Sequence, residues 1–106
     1  MLAEFMMYSL GQEHHLSTDI AQVARILRAR GLHFKLGPLS TAVEGEWNHV
    51  FDAIRECHEK MLERHERVVT TVTIDDCRFG QHRLDEMVQR VEQELAAQSQ
   101  GAEIEC

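Results

Sequence analysis

Carboxylates gather at two points of the sequence. Glu44 and Glu46 are two residues apart, and Trp47, the single tryptophan, follows at once. Residues two apart on an extended chain share one face. Asp75 and Asp76 form the second pair, with Arg78 close behind. Such carboxylates can neutralise a cation, and an aromatic face can stack on it. Each also has an ordinary reading as a solvated charge, an ion-pair partner or, for Glu46, an acid at a helix N-terminus. Glu44 is expected to point into the helix layer or into an interface, where a carboxylate needs a partner. A cationic or amidine-bearing ligand is one candidate, and an arginine from another subunit is the other.

Other chemistry is less well supported. Seven histidines raise the question of a metal. His14 and His15 are adjacent in a loop, and His58 and His65 lie too far apart along one helix to share an ion. No HxxxH, HExxH or Cys/His array occurs. Cys57 and His58 suggest a nucleophile beside a base, but neighbours on a helix point about 100° apart. No glycine-rich phosphate loop is present. Ser9, Ser40, Thr41, Thr70, Thr71 and Thr73 put hydroxyls on strands. They suit a sheet as such, and they could hydrogen-bond a heteroaromatic ring in a pocket.

The elements that must hold these residues follow from periodicity. Leu2–Leu10 is mostly apolar and short, and reads as a strand. Ser17, Thr18 and Asp19 offer N-cap oxygens for a helix whose face is Ile20, Val23, Ala24 and Leu27, with Gly31 as C-cap. His33–Leu36 is a short strand, interrupted by Gly37-Pro38 and resumed over Ser40–Glu46. Val50, Phe51, Ile54, Cys57, Met61 and Leu62 mark a helix reaching about Glu66. The β-branched run in Arg67–Asp75 is the clearest strand. Leu84, Met87, Val88, Val91 and Leu95 mark a third helix. The order β-α-β-β-α-β plus a terminal helix predicts an α+β, ferredoxin-like antiparallel sheet. One domain over residues 1–97 and a polar tail over 98–106 are expected.

The first strand is apolar on both faces: Phe5 and Met7 on one, Met6, Tyr8 and Leu10 on the other. A sheet with one wet face alternates instead. The second face must be covered, in part by the third helix and otherwise by another subunit, so a homo-oligomer built through the sheet is expected.

Composition bounds the rest. The chain has 106 residues, 11 Lys plus Arg and 18 Asp plus Glu, for a net charge of −7. One small core is feasible, burying roughly 65% of the unfolded surface. The acidic balance argues against nucleic-acid partners held by phosphate contacts. Three widely spaced cysteines make no disulfide framework. No apolar run approaches the ~20 residues of a membrane span. The N-terminus carries Glu4 and lacks the basic region of a signal peptide, so a cytoplasmic location is expected.

Several segments together resemble a known family. They are Thr41-Ala42-Val43-Glu44-Gly45-Glu46-Trp47, the helix carrying Cys57-His58-Glu59, and Val69-Thr70-Thr71-Val72-Thr73-Ile74-Asp75-Asp76 with Arg78. Ser9-Leu10-Gly11 and Leu36-Gly37-Pro38-Leu39 also fit. The chain resembles the small thiamine-binding proteins over residues 2 to about 95. It departs from their pattern at Gly37 and at Cys77. The resemblance implies a ferredoxin-like fold, dimers or tetramers joined through their sheets, and binding of thiamine or its pyrimidine portion without chemistry and without a cofactor. The positions it implies for the ligand are Ser9, Thr41, Glu44, Glu46, Trp47 and Asp75. Physically, carboxylates and an aromatic face suit the thiazolium, and hydroxyls and a carboxylate suit the aminopyrimidine. The alternative is an oligomeric interaction module with no small-molecule ligand.

Overall fold

Apolar residues at helical spacing and β-branched residues at strand spacing sort the described residues into seven elements. The computed structural model describes residues 1–10, 16–78 and 84–101. The elements are β1 (Leu2–Ser9), α1 (Leu16–Ala29), β2 (His33–Leu36), β3 (Thr41–Glu44), α2 (Trp47–Leu62), β4 (Val68–Asp75) and α3 (Leu84–Gly101). The strands form one antiparallel sheet in the order β2-β3-β1-β4. This is the ferredoxin-like α+β arrangement expected from the element order. Helices α1 and α2 cover one face. Ala3 and Phe5 of β1, Val43 of β3, Leu27 of α1 and Val50 and Cys57 of α2 meet there as the core.

The boundaries differ from expectation in four places. Helix α1 starts at Leu16, ahead of Ser17, Thr18 and Asp19, so none of the three is its N-cap; Asp19 lies inside the first turn. Strand β3 covers Thr41–Glu44 rather than Ser40–Glu46. It starts late because Gly37 N–H donates to Ser40 O at 2.8 Å, closing a turn around Pro38. Helix α2 stops at Leu62 rather than near Glu66, and the Arg64 and His65 N–H groups fold back onto Met61 O. Helix α3 continues to Gly101, through the first part of the expected polar tail.

Two glycines are required where they stand. Gly31, at φ 70°, ends α1 as the expected C-cap. Gly45 links β3 to α2 at φ 159°, a conformation that side chains rarely adopt. A Cβ there would lie 3.0 Å from Leu32 Cδ2 and 3.3 Å from Val50 Cγ2. Gly45→Ala is therefore expected to destabilise the fold by about 1–3 kcal/mol. Urea unfolding checks this: the midpoint should fall with an unchanged slope.

Candidate functional site

The strands of the sheet are unequal in length, and that inequality makes a cavity. β4 pairs with β1 along its whole length, Leu2 to Ser9, whereas β3 pairs with it only from Leu2 to Phe5. In an antiparallel strand the N–H and C=O of one residue point to the same side, and successive residues alternate. Met1 O accepts from Gly45 N–H on the β3 side, and Leu10 N–H donates to Arg67 O on the β4 side. Odd-numbered residues of β1 thus turn their peptide groups toward β3. Beyond Phe5 none of the described strands meets them, and residues 37–41 line the same cavity as Met7.

A cavity of about 190 Å³ fills the space. Phe5, Met6, Met7 and Tyr8 all line it. Side chains of consecutive strand residues alternate between faces. Four in a row can border one cavity only if it lies along the edge of the strand. Residues 37–41 close the opposite side, and Ile20 and Val23 of α1 and Met61 of α2 form an apolar floor.

Among the described residues of this wall, Asp19 is the only charged one. It is 4% exposed. Arg64 Nη2 donates to its Oδ1 at 2.5 Å, and His65 Nε2 lies 3.1 Å from Oδ2 and 3.3 Å from Oδ1. Arg64 Nη2 also donates to Gln22 Oε1 at 2.7 Å. A carboxylate buried with such partners is stabilised, whereas an isolated one would be costly. An acid in a first helical turn reads locally as a cap or dipole partner, so sequence reasoning missed it.

The six positions implied by the family resemblance occupy several places rather than one. Thr41 lines the cavity and is nearly buried. Ser9 stands at the end of the half of β1 that β3 does not pair, outside the lining residues. Glu44 lies on the sheet face away from α1 and α2. There its Oε2 accepts the Leu84 N–H at 3.0 Å and so caps α3. Its Oε1 is 4.0 Å from His33 Nε2. Asp85 reinforces this anchor, 2.9 Å from His33 and 2.8 Å from Lys35. The Lys35 hydrogen bond holds the Asp85 carboxyl below its ordinary value, with His33 adding to it. Asp75 is exposed on the same outer face and is separated from Glu44 by Leu2, two strand spacings or about 10 Å away. Glu46 and Trp47 sit at the start of α2. Glu46 is exposed, 3.6 Å from His49. Trp47 stacks on Phe51 with ring centroids 5.3 Å apart and donates from Nε1 to Asp76 Oδ2 at 3.0 Å.

The remaining candidates have structural partners. His58 Nδ1 is 2.6 Å from Thr70 Oγ1. Among the described residues, no three His, Cys, Asp or Glu side chains are grouped to hold a metal ion. His14 and His15 lie outside the described residues. Among the described helices, none is long and apolar enough to cross a membrane.

Comparison with known proteins places the chain. A family model described as "thiamine-binding protein" matches residues 3–92. YqgV of Bacillus subtilis, a UPF0045 protein, is 30% identical over 100 residues, covering 89% of this chain and 96% of its own. A UPF0045 protein from the region 3′ of glkA in Staphylococcus xylosus is 31% identical over 85 residues, covering 76% of this chain and 79% of its own. Two solved structures share the fold. One, a hypothetical protein of Methanocaldococcus jannascii, superposes with a TM-score of 0.78 at 20% identity, over 86% of this chain and 94% of the other. The second, a Thermotoga maritima protein assigned provisionally to thiamine biosynthesis or salvage, gives 0.73 at 21% identity, over 85% and 96%.

Proposed function

The chain belongs to the thiamine-binding protein family, and from that premise we propose that it binds thiamine, or the pyrimidine portion of thiamine, in the cavity beside β1 and performs no chemistry on it. The observation that carries this reading is the cavity itself. It lies within the matched span, and it combines apolar walls with the buried carboxylate of Asp19 and the hydroxyl of Thr41. Apolar walls with a few placed polar groups are what a small heteroaromatic ligand needs. The Thermotoga neighbour, with its provisional place in thiamine biosynthesis or salvage, points the same way. The non-enzymatic reading is supported at Cys57. This thiol is buried and its pKa is pushed up to about 12, so beside His58 it supplies no thiolate at neutral pH. We propose a cytoplasmic setting, where a reduced thiol such as Cys57 persists.

Isothermal titration of the full chain with thiamine, hydroxymethylpyrimidine and thiamine phosphate tests the proposal. Saturable heat is expected with at least one of them, and at a hundredfold excess over Kd the fold should gain about 2.7 kcal/mol. The absence of both heat and a shift in Tm at millimolar ligand would defeat it.

A second reading, self-assembly into a dimer or tetramer through the sheet, rests on a separate observation. Met6 and Tyr8 of β1 and Leu10 just past it are each about 40% exposed, and α3 carries further exposed apolar residues. The two readings are compatible. A chain that assembles but binds none of the three compounds would be an interaction module only.

A further inference from the structure

We infer that α3 is a strap held to the outer sheet face by a charge latch at its first turn, built from His33, Lys35, Glu44 and Asp85, and that ionic strength sets whether it is docked. Three observations carry the inference, and none of them involves the cavity.

The first is where the contacts of α3 lie. Leu84 N–H donates to Glu44 Oε2 at 3.0 Å. Asp85 Oδ2 lies 2.9 Å from His33 Nε2, and its Oδ1 lies 2.8 Å from Lys35 Nζ. Leu84 itself is buried. Past this turn the apolar side chains of the helix, Met87, Val88, Val91 and Leu95, are exposed. Most helices in proteins are stabilised by a packed apolar face rather than by propensity. This helix is instead tied down at one end.

The second is the surface that meets that end. Ala3, Phe5 and Val43 point into the core, so the residues alternating with them point outward. By register, His33, Lys35, Glu44 and Glu4 share the outer face, with Ala42 and Leu2 among them. Met6 and Tyr8, the large apolar side chains of that face, lie farther along β1, past the last residue that β3 pairs. Where α3 is anchored, the sheet offers it charge rather than an apolar bed.

The third is the nature of the pairs. The side chains of His33, Lys35 and Asp85 are each about half exposed, and that of Glu44 is 22% exposed. Ion pairs this open to water are individually weak and are screened by salt. Glu44 and Asp85 bring two negative charges. Lys35 brings one positive charge, and His33 adds a second when protonated. The Lys35 hydrogen bond, and after it that of His33, holds the Asp85 carboxyl below its ordinary value, which is the same attraction felt at the carboxylate. A latch of such pairs around one buried leucine closes at low ionic strength and loosens when the pairs are screened. Because α3 carries the exposed apolar stripe, the latch also fixes where that stripe is presented.

Amide hydrogen exchange of the full chain, expressed as protection factors, tests this between ~0.1 M and ~1 M sodium chloride, where the Debye length falls from about 10 Å to about 3 Å. Protection at Leu84, Val88 and Val91 should fall about three- to tenfold in high salt, the loss expected for two or three exposed pairs. Protection at Ile54 and Cys57 in the core of α2 should hold. Lys35→Met and Glu44→Gln should each lower the α3 protection about two- to fivefold at low salt and leave a smaller response to salt. Protection in α3 that ignores salt, or that ignores both variants, would overturn the inference. So would a loss in α2 that keeps step with the loss in α3, since that would be unfolding of the whole domain.

Discussion

Cys57 should react with a thiol reagent at pH 8 roughly a thousandfold more slowly than an ordinary thiol, and the fold should lose about 4 kcal/mol between pH 9 and pH 12. Both effects come from one group. Cys57 is 1% exposed in the core between α2 and the sheet. Burial, and after it the adjacent charge of Glu56, raises its pKa from 9.0 to about 12. Arg30, whose Nε lies 2.7 Å from Glu56 Oε1, pulls the other way but does not win. Three pH units are a factor of about a thousand in thiolate at pH 8, and the thiolate is the reacting species. The folded thiol resists ionisation more than the unfolded one. Its contribution is therefore intact below pH 9 and is lost as pH rises toward 12, at ~1.4 kcal/mol per unit. Native and guanidinium-unfolded protein treated with the same reagent gives the ratio of rates. Urea titrations at pH 8, 10 and 11 give the stability loss, which Cys57→Ala should flatten. Rapid native labelling of Cys57 would contradict both expectations.

Much of this fold is readable residue by residue, and the site is not, for reasons of range. The β-branched run Val68–Asp75 and the 3–4 spacing of Ile20, Val23, Ala24 and Leu27 are local signals, and both became the expected elements. Their order then leaves few topologies. Glu44 and Glu46 show where local reasoning stops. They share a face only if the strand continues, but β3 ends at Glu44 and Gly45 redirects the chain at φ 159°. The carboxylate of Glu44 was expected to need a partner, and it has one: the first N–H of α3, 40 residues away. The partners of Asp19 are 45 and 46 residues distant, so its role looks like that of any acid in a first turn. The cavity depends on two strand lengths and their register. Pro38 signals that the second hairpin strand starts late, but not that the deficit falls opposite Met7.

Placing lysine at both Val91 and Leu95 should convert an assembled protein into monomers while leaving the cavity able to bind. Helix α3 has 18 residues, a length of about 27 Å. Its first turn is fixed: Leu84 is buried at 7% exposure, its N–H is held by Glu44, and Asp85 bridges to His33 and Lys35. Past that turn the apolar stripe continues through Met87, Val88, Val91 and Leu95, which are 39%, 43%, 60% and 49% exposed. A helix gains most of its stability from packing an amphipathic face. Among the described residues this stripe has little to pack on, and the outer sheet face also presents exposed Met6 and Tyr8. Two copies that pair stripe and sheet face would bury both. An unpaired lysine forced into such an interface costs several kcal/mol. The double variant should therefore weaken association on the order of a hundredfold or more. Light scattering on a size-exclusion column at micromolar concentration reads the mass directly. Neither residue lines the cavity, so the variant should still bind thiamine, with any change in affinity traced to Met6 and Tyr8, which border both the cavity and the outer face. A wild-type chain that is monomeric in the same experiment, or a variant that keeps the assembled mass, would show that the stripe serves something other than a second copy.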